Sequence, residues 1–401
     1  MLKKIAVADL RLGMHLHGFD AAWIDHPFWR TRFLLSDPAD LARIRASAVR
    51  ACWIDLTQGL DVAPAADAQH EAAVEPAPPP TDASPAAPVS MEEELRRAAA
   101  LCRRSRGQVM QMFAEARMGK ALDTASSAAL VEEVSASVFR NREALVSLAR
   151  LKTADDYTYM HSVAVCALMV SLGRTLGLSD DECRQAGLAG LLHDMGKALM
   201  PAEVLNKPGK LSDAEHEIMK THPARGHELL AESRGVAHEA LDVVLHHHER
   251  IDGRGYPHGL AGDAISRLAR MGAVCDVYDA ITSNRPYKAG WDPAVSMARM
   301  ASWQGHFDPV LFAAFVKTLG IYPTGSIVRL ASGRLAVVLE QNPSALTTPV
   351  VKVFHSTRTN LPLTPERIDL ARGSDRIVRR EPRAQWESLQ LDALWAGDAL
   401  A

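Results

Sequence analysis

The run HHHERIDGRGYP, from His246 to Pro257, sets three imidazoles, two carboxylates and a glycine-punctuated turn in twelve consecutive residues. Imidazole nitrogen is the commonest protein ligand for transition metals, and neighbours such as His247 and His248 can serve two adjacent ions or two sides of one. That chemistry suits a charged phosphate ester drawn to a metal centre. Three consecutive histidines also fit a solvated helix end, so other residues must decide between the readings.

Further candidates lie at positions that a helical fold would turn inward. In TYMHSVAVCALMVSLGRTLG, Val165, Leu168, Met169, Leu172 and Leu176 recur at helical spacing, and His161 lies four residues before Val165 on that stripe. An isolated inward His is more often a hydrogen-bonded core residue than a ligand. In GLLHDMGK, His193 and Asp194 follow the apolar run Leu188 to Leu192. Adjacent His and Asp at a helix end can place nitrogen and carboxylate oxygen on one ion or on two bridged ions. Gly196 permits a sharp turn there, and Lys197 supplies a cation beside a phosphate. His222 stands just before Pro223 at what reads as the end of a helix. Asp276 sits in an apolar helical stretch beside Val274 and Val277, where an unpartnered carboxylate would be costly. Asp279 is an alternative that spacing does not exclude, whereas His216 and His227 fall on exposed helical phases.

The elements that must hold these side chains follow from composition and pattern. A chain of 401 residues, 47% hydrophobic and 23% charged, fits a globular protein of two or three domains. A net charge of -3 and a pI near 6.6 give no general attraction for a nucleic-acid polymer or an anionic membrane, so an anionic ligand needs a local site. The five cysteines form no CxxC pair and are too sparse for a disulfide framework or a structural zinc cluster. The N-terminus lacks the apolar run of a signal peptide and no segment is apolar enough to span a membrane, so a cytoplasmic location is expected. Residues 1–62 read as a small α/β domain and 63–90, rich in Pro and Ala, as a flexible linker. Ser90 with Glu93, Ser179 with Glu182 and Ser212 with Glu215 are capping-box signatures, and 91–322 reads as an all-α bundle with leading helices. Residues 323–401 form a β-rich extension, where SIVRLASGRLAVVLEQ and TPVVKVFH suggest a hairpin or meander.

The His193–Asp194 pair, Lys197, HHERIDGRGYP and DVYDAITSNRPYK together resemble the HD-GYP family of the HD phosphohydrolase superfamily, whose members are cyclic di-GMP phosphodiesterases. The resemblance covers about Asp155 to Phe315. It implies a mainly α fold, an HD-type helical bundle flanked by the small N-terminal α/β domain and the short C-terminal β-rich segment. It also implies that His161, His193, Asp194, His222, His247, His248 and Asp276 ligate two divalent ions, iron or manganese, with Asp194 bridging. Some relatives carry a Glu four residues before the first ligand His and hold a third ion; Tyr157 stands there in this chain, so two are expected. Tyr256, Arg285 and Lys288 match positions that contact the ligand. The implied reaction is hydrolysis of cyclic di-GMP to linear pGpG, and onward to GMP, by a hydroxide held between the ions while Lys197 neutralises charge on the phosphoryl oxygens. Gly253 and Gly255 shape the loop, and Glu249 and Asp252 either orient the histidines or stabilise that loop. His246 is the bystander of the three. The alternative function is a non-hydrolytic cyclic-dinucleotide receptor or docking module, against which the intact ligand set stands. The N-terminal domain is read as a dimerisation or regulatory element resembling an uncharacterised domain that precedes some of these catalytic units, which admits a homodimer and contacts to other signalling proteins.

Overall fold

The computed structural model describes residues 2–19, 33–36, 38–46, 49–61, 89–151, 157–233, 235–283, 290–342, 344–386 and 390–400. Arg285, Lys288, the Tyr157 side chain and the 63–90 segment up to residue 88 lie outside the described residues. The chain divides into two compact units, one centred on the residues before Ala86 and one on those from Ala86 onward.

The first unit is a four-stranded antiparallel sheet with a helix. Strands β1 (Leu2–Ala6), β2 (His15–Phe19) and β3 (Phe33–Leu34) precede α1 (Pro38–Ala46) and β4 (Ala51–Asp55), in sheet order β1-β4-β2-β3. Period-2 alternation sorts the faces: Cys52 and Ile54 are buried while Trp53 between them is exposed. Ile5, Leu16, Ile44 and Leu35 join them in one core.

The second unit is the helical bundle. It opens with α2 (Met91–Arg117), whose N-cap Ser90 accepts the Glu93 N–H at 3.3 Å, followed by α3 (Thr124–Arg140) and α4 (Ala144–Ala149). Next come α5 (Tyr157–Thr175), α6 (Asp180–Leu192), α7 (Ala202–Leu205), α8 (Asp213–Met219), α9 (His222–Ala231) and α10 (His238–His246). After the GYP loop follow α11 (Arg267–Thr282), α12 (Pro293–Ser302) and α13 (Pro309–Leu319). Every residue from Val163 to Val170 is buried, so α5 is apolar all round and forms the axis of the bundle. It lies tight against α6, since a Cβ on Gly190 would come 2.9 Å from the Val165 carbonyl oxygen. Glu94, fully buried on α2, is compensated by Arg140 at 2.7 and 2.8 Å and by the Ser137 hydroxyl at 2.7 Å, which ties α2 to α3.

The C-terminal segment exceeds the expected hairpin or meander. Strands β5 (Ile327–Leu330), β6 (Arg334–Glu340), β7 (Val350–Ser356), β8 (Leu361–Asp369) and β9 (Ile377–Arg380) make an antiparallel sheet in order β8-β7-β6-β5-β9, followed by α14 (Leu391–Ala396). Strand β8 escapes pattern reading because it is an edge strand exposed along most of its length and carrying Pro362 and Pro365. The four-residue β9, IVRR, is too short to show alternation. Among the described residues no helix is long and apolar enough to cross a membrane.

Glu143, beside α4, fastens this sheet to the bundle. Its carboxylate accepts the Thr324 hydroxyl at 2.9 Å and the Gln341 N–H at 3.0 Å, while Arg150 donates to the Thr324 carbonyl at 2.9 Å. Burial raises the Glu143 carboxyl from 4.5 to about 7, outweighing those hydrogen bonds. Between these values the folded chain holds a proton that the unfolded chain has lost, so this group's stabilisation is present at low pH and vanishes as pH rises through about 7. It amounts to at most about 3 kcal/mol. The Tm difference between the wild type and Glu143→Gln should therefore shift in the variant's favour between pH 5 and pH 8, on the order of that change. Parallel Tm profiles for the two proteins would refute this account.

Candidate metal centre

Three helix ends deliver imidazoles to one place, and the same device orients each. His193 follows the last residue of α6, His222 follows the end of α8, and His247 caps α10. The last carbonyls of a helix lack intrahelical donors. Each imidazole donates Nδ1–H to one of them: His193 to Gly190 at 2.8 Å, His222 to Met219 at 2.8 Å, and His247 to Val244 at 3.0 Å. Every Nε2 is thereby left as an outward lone pair, the arrangement that fixes the tautomer of a metal-ligating histidine. The sequence reading put His222 at a helix end; the structure makes it the first residue of α9, with Pro223 in the first turn, where Pro's missing N–H costs nothing.

His161 comes from the buried axis α5 and receives a carboxylate instead of a carbonyl. Its Nδ1 donates to Asp279 at 2.6 Å, and its Nε2 faces Asp276 at 3.0 Å and Asp194 at 3.4 Å. Asp276 and Asp279, one turn apart on α11, thus divide the work that spacing could not apportion: Asp276 faces the cluster and Asp279 stands behind His161. Replacing Asp279 by Asn should lower metal affinity roughly 10- to 100-fold while leaving the fold intact. Titration of the metal-free variant with Mn2+ tests this, and unchanged affinity would remove Asp279 from the site.

The donors fall into two groups. Asp194, His222, His247 and His248 have ligand atoms within 4.8 Å of one another, as do His161, His193 and Asp276. Asp194 touches both. Its Oδ1 lies 3.2 Å from His222 Nε2 and 3.8 Å from His247 Nε2, while its Oδ2 lies 3.3 Å from His193 Nε2. All seven are buried except His248, which is half-buried and stacks on Tyr256 at 4.7 Å. His193 Nε2 and Asp194 Oδ1 are buried yet make no hydrogen bond. Unsatisfied buried polar atoms are rare, and a divalent cation between nitrogen and oxygen donors of this kind would satisfy both. The donor set fits two ions.

Electrostatics within the cluster point the same way. Burial works against protonating His193, but the Asp194 and Asp276 carboxylates outweigh it and lift the imidazole to about 10. His161 is raised too, against burial, by its three Asp neighbours. Despite burial, Asp194 is held well below the usual carboxylate range by Lys197 and the histidines, and Asp276 by His161 and His193. Burial and neighbouring imidazoles push His247 well down, and burial chiefly takes His248 to about 3. A metal-ligating imidazole must be neutral, so metal uptake at His193 competes with the proton that these carboxylates favour.

The loop after α10 is shaped by the acids the sequence left ambiguous. Glu249 accepts the backbone N–H groups of His258 at 2.7 Å and Leu260 at 3.0 Å, and Asp252 accepts Arg254 N–H at 3.1 Å. Both stabilise the loop, and neither bonds a cluster histidine in the structure. At Gly255 a Cβ would meet the Glu249 Cα at 2.4 Å, so only glycine lets the loop fold back over the end of α10. Tyr256 is brought against His248, with the Lys220 ammonium 5.9 Å from its ring centroid. Lys220, half-buried and paired with Glu217 at 2.7 Å, carries no signal in the sequence, where it is one Lys among many. Lys197 reaches Asp194 Oδ2 at 2.5 Å. His246 lies outside both donor groups.

The domain model "Domain of unknown function (DUF3391)" matches residues 2–126, running through the first unit and α2 into the start of α3, and the HD domain model matches 134–311. The chain is 56% identical over 400 residues to cyclic di-GMP phosphodiesterase PA4108 of Pseudomonas aeruginosa, covering 99% of this chain and 96% of that one. It is 44% identical over 174 residues to the cyclic di-GMP phosphodiesterase response regulator RpfG of Xanthomonas campestris, 42% of this chain and 46% of that protein. A Vibrio cholerae protein named 3'3'-cGAMP-specific phosphodiesterase 1 is 34% identical over 164 residues, 40% of this chain and 38% of its own. With near full-length likeness, the HD domain match and the two-group His/Asp cluster in place, the chain belongs to the HD-GYP family of the HD phosphohydrolase superfamily.

Proposed function

We propose that this protein hydrolyses cyclic di-GMP, opening one phosphodiester bond to give linear pGpG and cutting again to GMP, at a centre of two divalent ions, iron or manganese. The observation that carries this reading is the single carboxylate of Asp194 facing two separate donor groups with its two oxygens. His161, His193 and Asp276 would hold one ion, His222, His247 and His248 the other, and Asp194 both. When bound, such a pair supplies Lewis acidity at phosphoryl oxygens and a nucleophile available at neutral pH.

The chain's own residues do the positioning. Lys197, anchored on Asp194, presents a cation where charge develops on a phosphoryl oxygen. Tyr256 holds His248 in place by stacking and offers its remaining surface to the ligand. Arg285 and Lys288 are proposed to meet phosphate or guanine edges. The buried helix-end carbonyls keep each imidazole in one tautomer, so the donors are fixed before any ligand arrives.

Names of relatives include both cyclic di-GMP and 3'3'-cGAMP phosphodiesterases, so substrate choice needs direct comparison. Protein purified without oxygen and assayed for bound metal should convert cyclic di-GMP to pGpG, resolved by chromatography, faster than it converts 3'3'-cGAMP. Metal-loaded protein that binds cyclic di-GMP without cleaving it would instead establish the receptor reading.

A further inference from the structure

His246 is turned away from the candidate centre and into a second arrangement. Its Nδ1 lies 2.8 Å from Asp242 Oδ1, one helical turn back on α10. Its Nε2 lies 3.1 Å from Nδ1 of His258, in the loop that carries Tyr256. Asp242 is itself anchored: burial opposes its ionisation, but hydrogen bonds from His246 and Ser266 keep the carboxyl below the usual range, and Ser266 is the N-cap of α11. An imidazole that gives its Nδ1 proton to a fixed carboxylate presents Nε2 as a lone pair in a fixed direction. Nothing in the seven-residue donor set uses either His246 or His258.

We propose that His246 and His258 form an auxiliary site for a borderline divalent transition metal of the zinc class, with Asp242 orienting the first ligand and solvent completing the shell. Two imidazole nitrogens on a tetrahedral zinc ion stand ~3.3 Å apart, close to the separation present here. Two neutral nitrogens without a coordinating carboxylate or thiolate suit zinc, nickel or copper and not calcium or magnesium. On binding, the proton on His258 Nδ1 moves to its Nε2, so no net proton is released and the site fills without altering the charge of its ligands. His258 is exposed and His246 half-buried, so the ion enters directly from solvent.

The consequence is a clamp. Residues 249 to 260 are braced by Glu249, which accepts the His258 and Leu260 N–H groups, by Asp252, which accepts the Arg254 N–H, and by the Tyr256 N–H on the His248 carbonyl at 3.3 Å. A metal shared by His246 and His258 adds a further, side-chain tie two residues beyond Tyr256, between the loop and the last residue of α10.

The experiment compares manganese-loaded wild type with His258→Ala and His258→Asn, each dialysed against zinc chloride and analysed for total metal. The wild type should retain one equivalent more than either variant, irrespective of exchange at the seven-residue centre. Crystals should show a zinc-edge anomalous peak ~2.0–2.1 Å from His246 Nε2 and His258 Nδ1. Zinc should also slow backbone hydrogen exchange at residues 253–260 in the wild type alone. Equal metal content in all three proteins, or no peak between the two imidazoles, would reduce the contact to a plain hydrogen bond and overturn the proposal.

Discussion

Asp194→Ala should lose bound metal and turnover together, with activity on cyclic di-GMP falling by more than about 1,000-fold, equivalent to about 4 kcal/mol of transition-state stabilisation. The side chain stands between two donor groups, 3.2 Å from His222 and 3.3 Å from His193, whereas Asp276 comes no nearer than 3.8 Å to His248 of the opposite group. Removing it also strips Lys197 of its counter-ion and leaves two sets of buried imidazoles facing a hole. The loss should be larger than for Asp279→Asn, because Asp279 acts on one ligand only and from behind it. Metal analysis and chromatography of the product on the same preparation check the claim. A variant with full metal and full turnover would sink the two-ion reading.

The second large effect comes from a residue with no side chain. A Cβ on Gly196 would lie 1.9 Å from the His222 carbonyl oxygen and 2.6 Å from the Gly226 nitrogen. Both are backbone atoms, so no flexible side chain can swing aside, and the turn after Asp194 would have to part from α9 by more than about 1 Å to reach ordinary contact. Gly196→Ala should cost about 1–3 kcal/mol in stability. It should also cost metal binding, because coordination tolerates errors of only about 0.2 Å and the Asp194–His222 separation would widen. Gly107 provides the contrast. It lies within α2 with nothing within 4 Å of its would-be Cβ, so Gly107→Ala should stabilise by about 0.5–1 kcal/mol and leave metal content alone. Calorimetry and metal analysis on both variants separate the cases. A Gly196→Ala protein with native stability and native metal would show that the close approach does not position the site.

Much of this is legible in the sequence. Buried helices announce themselves through apolar residues at helical spacing, and α5 with His161 on its stripe is such a case. Capping chemistry marks boundaries because the first N–H groups of a helix need acceptors, as Ser90 and Ser212 supply. The C-terminal sheet was only partly legible, since β8 and β9 lack the half-buried alternation that signals a strand.

The sequence by itself determined which residue types were available and roughly where: the adjacent His193 and Asp194, the histidine run, the apolar helix around Asp276, and the motifs that mark the family. Only the tertiary structure decided which of Asp276 and Asp279 faces the cluster, that Glu249 and Asp252 brace the loop, and that His246 pairs with His258 instead of joining its neighbours. The reason is physical. Helical spacing fixes the direction of a side chain within about one turn, and residues three apart share a face, so local pattern cannot separate Asp276 from Asp279. The choice is made by what lies opposite, and the ring of His161 on a helix more than a hundred residues away is what lies there.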